Sequence, residues 1–146
     1  MAAFNKFDDF SEQVLKGVHV FGTHAYKVAL TNTAPVSTQT SWNTTNHPAP
    51  AAANGYPAGG GATAIAISET GGVTTVTATE VTFTATAGGI GPFRYAILYN
   101  DTATSPADAP VGFWDYGSSI TLAVGESFVW RASNASPGAV LTGTIA

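Results

Sequence analysis

The chain has 146 residues, a length that fits a single domain, and it contains no cysteine, which excludes disulfide bonds and thiolate metal sites. Five basic side chains stand against nine acidic ones, so the formal net charge of −4 excludes the strongly basic surface that nucleic-acid binding needs. Charged residues make up only 10% of the chain, which is typical of a protein packed against neighbours, because charges buried there would lose their hydration.

The beginning of the chain predicts its one helix, over residues 5–17. Asn5 is the expected N-cap, Asp8 follows three residues later in an arrangement like a capping box, and Gly17 is the expected stop. Apolar residues at helical spacing would form one face of this helix: Phe7, Phe10, Val14 and Leu15. We expect this face to cover one end of the domain, and the alternative is that Phe7, Phe10 and Val14 dock on a partner.

A strand is predicted at residues 26–31, and a long irregular segment follows at residues 33–61. In the strand, Tyr26, Val28 and Leu30 share one face. The segment is rich in Pro, Gly, Asn and Thr and shows no periodicity. Loops longer than about 12–15 residues are usually functional or disordered, so this segment is a candidate for function.

Two large aromatic residues in the segment, Trp42 and Tyr56, are candidate anchors for a partner protein. Two interpretations of the segment stay open, a binding arm and a flexible insert. In both, the segment projects from the core, so shortening residues 38–61 is expected to leave the fold intact. If the segment is a binding arm, the shortening should also weaken partner binding.

From residue 62 onward the sequence predicts one short strand after another. The alternation of apolar residues changes parity between Ala78 and Val81, which indicates a bulge or bend at Thr79 and Glu80. The strongest strand is predicted at residues 93–99, where apolar side chains on both faces indicate burial on both sides. Its first face carries Phe93, Tyr95, Ile97 and Tyr99, and its second carries Ala96 and Leu98.

The last third of the chain is predicted to continue in the same way. Asn100 and Asp101 lead into an expected polar turn that contains Pro106 and Pro110. Further strands are predicted at residues 111–116, 120–122, 128–131 and 140–145.

These elements predict a mainly β protein, an antiparallel β-sandwich of the jelly-roll-like kind over residues 1–146, with one short N-terminal α-helix. Short strands separated by Gly, Pro and Asn turns favour antiparallel sheets. A parallel sheet would need crossover helices, and only one helix is predicted.

The sequence contains no catalytic motif that we can identify. His19 and His24 are five residues apart, a spacing that suits neither one helix face nor one strand face for metal binding, and His47 stands alone. Asp101 and Asp108 are more simply turn residues than a carboxylate pair of a glycosidase. We therefore expect no enzyme activity, no metal and no cofactor.

Several residues are predicted to have structural roles. Asp115 lies in an aromatic strand end, and Arg94 is its expected ion-pair partner. Trp114, Tyr95 and Ile97 are expected to belong to the core or to a sheet face.

Four stretches of the sequence carry a resemblance to a known family. They are AFNKFDDFSEQVLKGVH, YKVALTNTAPV, GGIGPFRYAILYNDTA and FWDYGSSITLAVGESF. They resemble small virion structural proteins of tailed bacteriophages and together cover about half of the chain, whereas residues 38–61 are not part of the likeness.

This resemblance implies a head decoration (cement) protein, a role in which β-sandwich or jelly-roll cores sit as dimers or trimers on the shell. The implied partners are the major capsid protein and further copies of the chain, and the implied location is the outer surface of the head, after assembly in the host cytoplasm. A tail tube or tail-tip subunit is the first alternative. A carbohydrate-binding module that uses Trp42, Tyr56 and Trp114 is the second. The N-terminus is too polar for a signal peptide. No apolar run is long enough to span a membrane, so we expect no membrane association.

Overall fold

The computed structural model describes residues 2–133 and 138–143, which form strands and one short helix. In chain order the elements are β1 (Phe4–Lys6), α1 (Phe10–Leu15), β2 (Tyr26–Thr31), β3 (Gly61–Thr63), β4 (Ile65–Thr70), β5 (Val73–Ala78), β6 (Val81–Thr84), β7 (Ile90–Thr104), β8 (Ala107–Leu122), β9 (Ser127–Trp130) and β10 (Gly138–Gly143). Residues 144 and 145, which close the last predicted strand, lie outside the described residues.

Three antiparallel sheets organise these strands. The largest has the order β1-β8-β7-β2-β3, and two smaller sheets have the orders β10-β5-β4 and β6-β9. Every pairing is antiparallel. The mainly β class, the antiparallel sheets and the single short helix are therefore confirmed, and the jelly-roll-like connection stays a prediction.

The main core lies where one face of the large sheet meets the two smaller sheets. The large sheet contributes Tyr26, Val28 and Leu30, the face that the sequence predicts for β2. The smaller sheets contribute, among others, Val76, Phe83 and Trp130. Because all three sheets supply side chains to one apolar cluster, the arrangement is sandwich-like.

A second, smaller cluster covers the opposite face of the large sheet. It consists of Phe7, Ala29, Trp42, Ile97 and Tyr99. The predicted burial of residues 93–99 on both sides is thus confirmed. Phe93 is an exception in detail, because it belongs to the main core with Ala96 and Leu98. The register shifts between Phe93 and Tyr95, which moves Phe93 away from the face that simple alternation predicts.

The helix is shorter than predicted. It begins after Asp9 and ends at Leu15, whereas Asn5, the predicted N-cap, lies in β1 opposite Phe113 of β8. Since β8 satisfies the backbone of residues 4–6, these residues extend the sheet instead of starting a helix. The Gln13 side chain donates a 2.8 Å hydrogen bond to Asp9 in the first turn.

The turn predicted directly after Asn100 and Asp101 is wrong, because the turn between β7 and β8 lies further along the chain, at Ser105 and Pro106. β7 continues to Thr104, and Pro110 lies inside β8 opposite Tyr99. Asn100 is buried in the sheet, where its amide donates to the Val18 carbonyl at 2.9 Å. The strands predicted at residues 111–116 and 120–122 are likewise parts of one strand, β8.

The sequence predicts a bulge or bend at Thr79 and Glu80, where the alternation of apolar residues changes. The structure shows that the chain changes sheet at these two residues. β5 ends at Ala78 in the three-stranded sheet, and β6 begins at Val81 in the two-stranded sheet. The two residues between them let the chain cross from one small sheet to the other.

Candidate partner-docking surface

Trp42, the first predicted anchor, lies inside the domain. Its side chain is only 7% exposed and its ring stacks on Tyr99 with 4.4 Å between centroids. Its backbone N–H donates to the Asp108 carbonyl at 3.0 Å. The expectation of an exposed anchor is therefore wrong for Trp42, because the second core cluster needs this side chain to cover the large sheet.

Tyr56, the second predicted anchor, is also buried. Its side chain is 3% exposed, its ring stacks on Phe83, and its hydroxyl accepts a 3.0 Å hydrogen bond from the Leu30 N–H. Close by, a Cβ at Gly60 would overlap the Val28 carbonyl, so the segment passes tightly over β2. Residues 33–61 are thus packed against the sheet, and removal of residues 38–61 would take side chains out of both clusters. The expectation that such a deletion leaves the fold intact is wrong.

The helix residues proposed for docking divide into buried and partly exposed ones. Phe7 is fully buried in the second cluster and Phe10 is buried in the main core. Val14 is half-buried and packs at the edge of the main core. The helix face mainly covers the domain, as the first interpretation predicts, and Val14 alone of these three reaches the surface.

An apolar groove of about 260 Å³ runs beside this helix. Its lining residues are Phe10, Ser11, Val14, Leu15 and Phe21. We call it the helix groove. Leu15 at its rim is 82% exposed, the largest exposed fraction among the exposed large apolar side chains of the described residues. The sequence assigns Leu15 to the apolar stripe, but the buried residues of the helix are Phe10 and Gln13. At about 100° per residue Leu15 lies on the opposite side of the helix from these two, so its side chain is in solvent.

His19 lies under the helix groove among aromatic rings. Its ring centroid is 5.1 Å from that of Phe10, and the ring stacks on Phe21 at 6.1 Å and on Tyr26 at 6.4 Å. Neither ring nitrogen has a hydrogen-bond partner within the described residues. Burial, reinforced by the nearby His24, lowers the pKa of His19 to about 4. The imidazole is therefore neutral at pH 7, and its contacts are with the surrounding aromatic rings.

The predicted ion pair between Arg94 and Asp115 is confirmed. The guanidinium donates two hydrogen bonds to the carboxylate, at 2.7 and 2.8 Å. These bonds, together with one from the Gly117 N–H, hold the pKa of Asp115 below its usual value. The guanidinium also lies 5.2 Å from the centre of the Tyr95 ring. Both charged groups are partly exposed, so the pair joins β7 to β8 at the rim of the surface.

The other residues with predicted structural roles also lie where the sequence places them. Trp114 is fully buried and packs edge-on against Trp130 at 5.0 Å. Ile97 is fully buried in the second cluster, and Tyr95 is buried in β7.

The acidic residues weighed as a carboxylate pair lie beside a basic group. Asp101 forms an ion pair with Lys27 at 3.0 Å, and burial followed by the charge of Asp101 raises the pKa of Asp108. No three His, Cys, Asp or Glu side chains in the described part of the chain are grouped as a metal site would need. Within residues 2–133 and 138–143, no helix has the length and apolar character that crossing a membrane requires.

Comparisons with protein-family models, with curated proteins and with solved structures each return no match to this chain. Its function has therefore to be inferred from the arrangement of its own residues.

Proposed function

We propose that the chain is a non-enzymatic structural protein of a tailed-phage particle, a decoration protein that binds the outside of the head and bridges major capsid protein subunits. The observation that carries the proposal is the helix groove, an exposed apolar surface in a chain with only 10% charged residues. The resemblance of the sequence to phage virion proteins is the reason that we propose the major capsid protein as the partner of this groove.

The helix groove supports the proposal through its energetics. Leu15 stands in water at 82% exposure, and burial of a leucine side chain contributes about 1.5–3 kcal/mol. Val14 and Phe21 extend the same surface. One such contact gives a weak complex, but bridging two subunits raises the effective concentration of each contact and so multiplies the affinity.

The packing beneath the groove supports it as well. Phe10 forms the floor of the groove and is fixed in the main core. A rigid surface loses less entropy on binding than a flexible one.

The carbohydrate-binding alternative is not favoured by the structure. It requires exposed aromatic platforms, whereas Trp42, Tyr56 and Trp114 are all buried.

We expect Leu15→Lys to reduce the occupancy of the protein on phage heads by about ten-fold or more, because a lysine cannot be buried in an apolar contact without losing its hydration. The measurement is quantitative mass spectrometry of heads that lack the protein, after incubation with purified chain and sedimentation. Because Leu15 is exposed, the free energy of unfolding should change by no more than about 0.5 kcal/mol.

Val124→Lys is the matched control, since Val124 is another exposed apolar residue, located between β8 and β9. It should leave head occupancy unchanged. Wild-type chain that fails to bind heads, or that is found by electron microscopy only on tails, would refute the decoration role. Normal binding of Leu15→Lys would refute the helix groove as the contact.

A further inference from the structure

The outer edge of the three-stranded sheet is open. In the order β10-β5-β4, the strand β4 has β5 as its single neighbour among the described residues, and every residue of β4 after Ile65 is exposed. Proteins usually protect such edges with charges, proline or bulges. β4 carries one charged residue, Glu69, has no proline, and pairs with β5 without any register shift.

The turn at the end of β4 fixes which backbone groups face this open edge. Gly71 and Gly72 have φ angles of 61° and 81°, the two positive values of a two-residue hairpin turn of type I′. Thr70 and Val73 are therefore the hydrogen-bonded pair that closes the hairpin. Pairing alternates along an antiparallel ladder, so Ile65, Ile67 and Glu69 direct their N–H and C=O groups outward.

We propose that a second copy of this chain pairs with β4 in antiparallel orientation about a two-fold axis at Ile67. In this register Ile67 of one copy lies opposite Ile67 of the other, and Ile65 lies opposite Glu69. Every outward N–H and C=O of these three residues then has a backbone partner. The two three-stranded sheets become one continuous sheet across the dimer.

Side chains as well as backbone favour a second copy as the occupant. Ile67 is 52% exposed, and residues directly opposite in a hydrogen-bonded pair have Cα atoms about 5.5 Å apart, so the two isoleucines would cover each other. Glu69, the one charge on the strand, faces neutral Ile65, so like charges do not oppose each other. The strand is thus complementary to itself.

The symmetry limits the assembly to a dimer. A two-fold contact uses the same edge on both copies and leaves that edge closed. Pairing of two six-residue strands is small beside the roughly 1,200–2,000 Å² of a stable interface, so the dimer is concentration-dependent. The contact does not involve the helix groove and does not depend on the proposed decoration function.

The test is sedimentation velocity of the full chain over a wide range of concentration. It compares wild type with variants that carry a charged residue at position 67, which lies on the two-fold axis. Wild type should pass from monomer to dimer as concentration rises. Ile67→Lys and Ile67→Glu each place like charges opposite each other and should raise the dissociation constant about ten-fold or more. An equimolar mixture of the two variants should recover the dimer, because unlike charges then face each other.

Two controls distinguish a loss of pairing at the β4 edge from a general effect of adding charge or from poor folding. Val124→Lys and Leu15→Lys also place a lysine on an exposed apolar position and should dimerise like wild type. Ile67→Thr keeps a β-branched residue in the strand and should weaken the dimer less than either charged variant, which keeps the test valid if a charged variant folds poorly. A wild type that stays monomeric, a dimer insensitive to Ile67→Lys, or a mixture that does not recover would each overturn the proposal.

Discussion

Trp42→Ala is expected to lower the free energy of unfolding by about 3–5 kcal/mol, the range found for buried aromatic residues cut back to alanine. Trp42 is buried, stacks on Tyr99 and forms much of the second core cluster. That cluster has few other members to close the space that the indole would leave. Denaturant-induced unfolding, followed by circular dichroism, measures the change.

The same substitution should release residues 33–61 from the sheet. Amide hydrogen exchange in that segment should quicken more than exchange in β4 and β5, which make no contact with Trp42 in the clusters and should quicken only through the loss of global stability. Val36→Ala is the matched control, because Val36 is an exposed residue of the same segment and its loss should cost no more than about 0.5 kcal/mol. Wild-type stability of Trp42→Ala would contradict the role of Trp42 in the core.

Lowering the pH from 6.5 to 4 is expected to remove stability on the order of 3 kcal/mol through His19 alone. The pKa of His19 falls from 6.5 to about 4 on folding, chiefly through burial. Between these values the unfolded chain binds a proton that the folded chain does not, so stability decreases as pH falls. Above about pH 7.5 the imidazole is almost entirely neutral in both states, and its titration has little effect.

The contribution of His19 is isolated by comparison with His19→Phe, which keeps an aromatic ring in the pocket of Phe10, Phe21 and Tyr26. The unfolding free energy of this variant should fall less steeply between pH 6.5 and 4 than that of wild type. Burial also lowers the pKa of His47, so some dependence on pH should remain. An NMR titration of His19 with a midpoint near 6.5 would contradict the buried, neutral ring.

The sequence predicts the fold class well because the central strands are regular. Tyr26, Val28 and Leu30 alternate as the main core requires, and the parity break before Val81 marks a real change of sheet. Strands are predicted too short where a residue that is typical of turns lies inside a strand. Asn100 is typical of turns, yet its amide bonds to Val18 and so stabilises β7 where the sequence predicts its end.

The candidate site is only partly predictable, because burial in irregular segments follows no period. Trp42 and Tyr56 are fixed by Tyr99 and by the Leu30 N–H, which are distant along the chain. Arg94 and Asp115 are found more easily, since Tyr95 is paired with Asp115 in the β7–β8 ladder and Arg94 is its neighbour. Leu15 is in solvent because the helix begins only at Phe10 and buries the side that carries Phe10 and Gln13, a start that apolar spacing counted from Phe7 does not reveal.

The strand order of the large sheet also governs when the chain can fold during synthesis. β1 pairs with β8 and β2 pairs with β7, so each of these strands needs a partner that is synthesised more than sixty residues later. Until β7 and β8 have left the ribosome, Trp42 has no Tyr99 to stack on and Tyr26 has no complete sheet around it. The large sheet can therefore close only after β8 has been synthesised, because its two earliest strands both need partners from the β7–β8 hairpin.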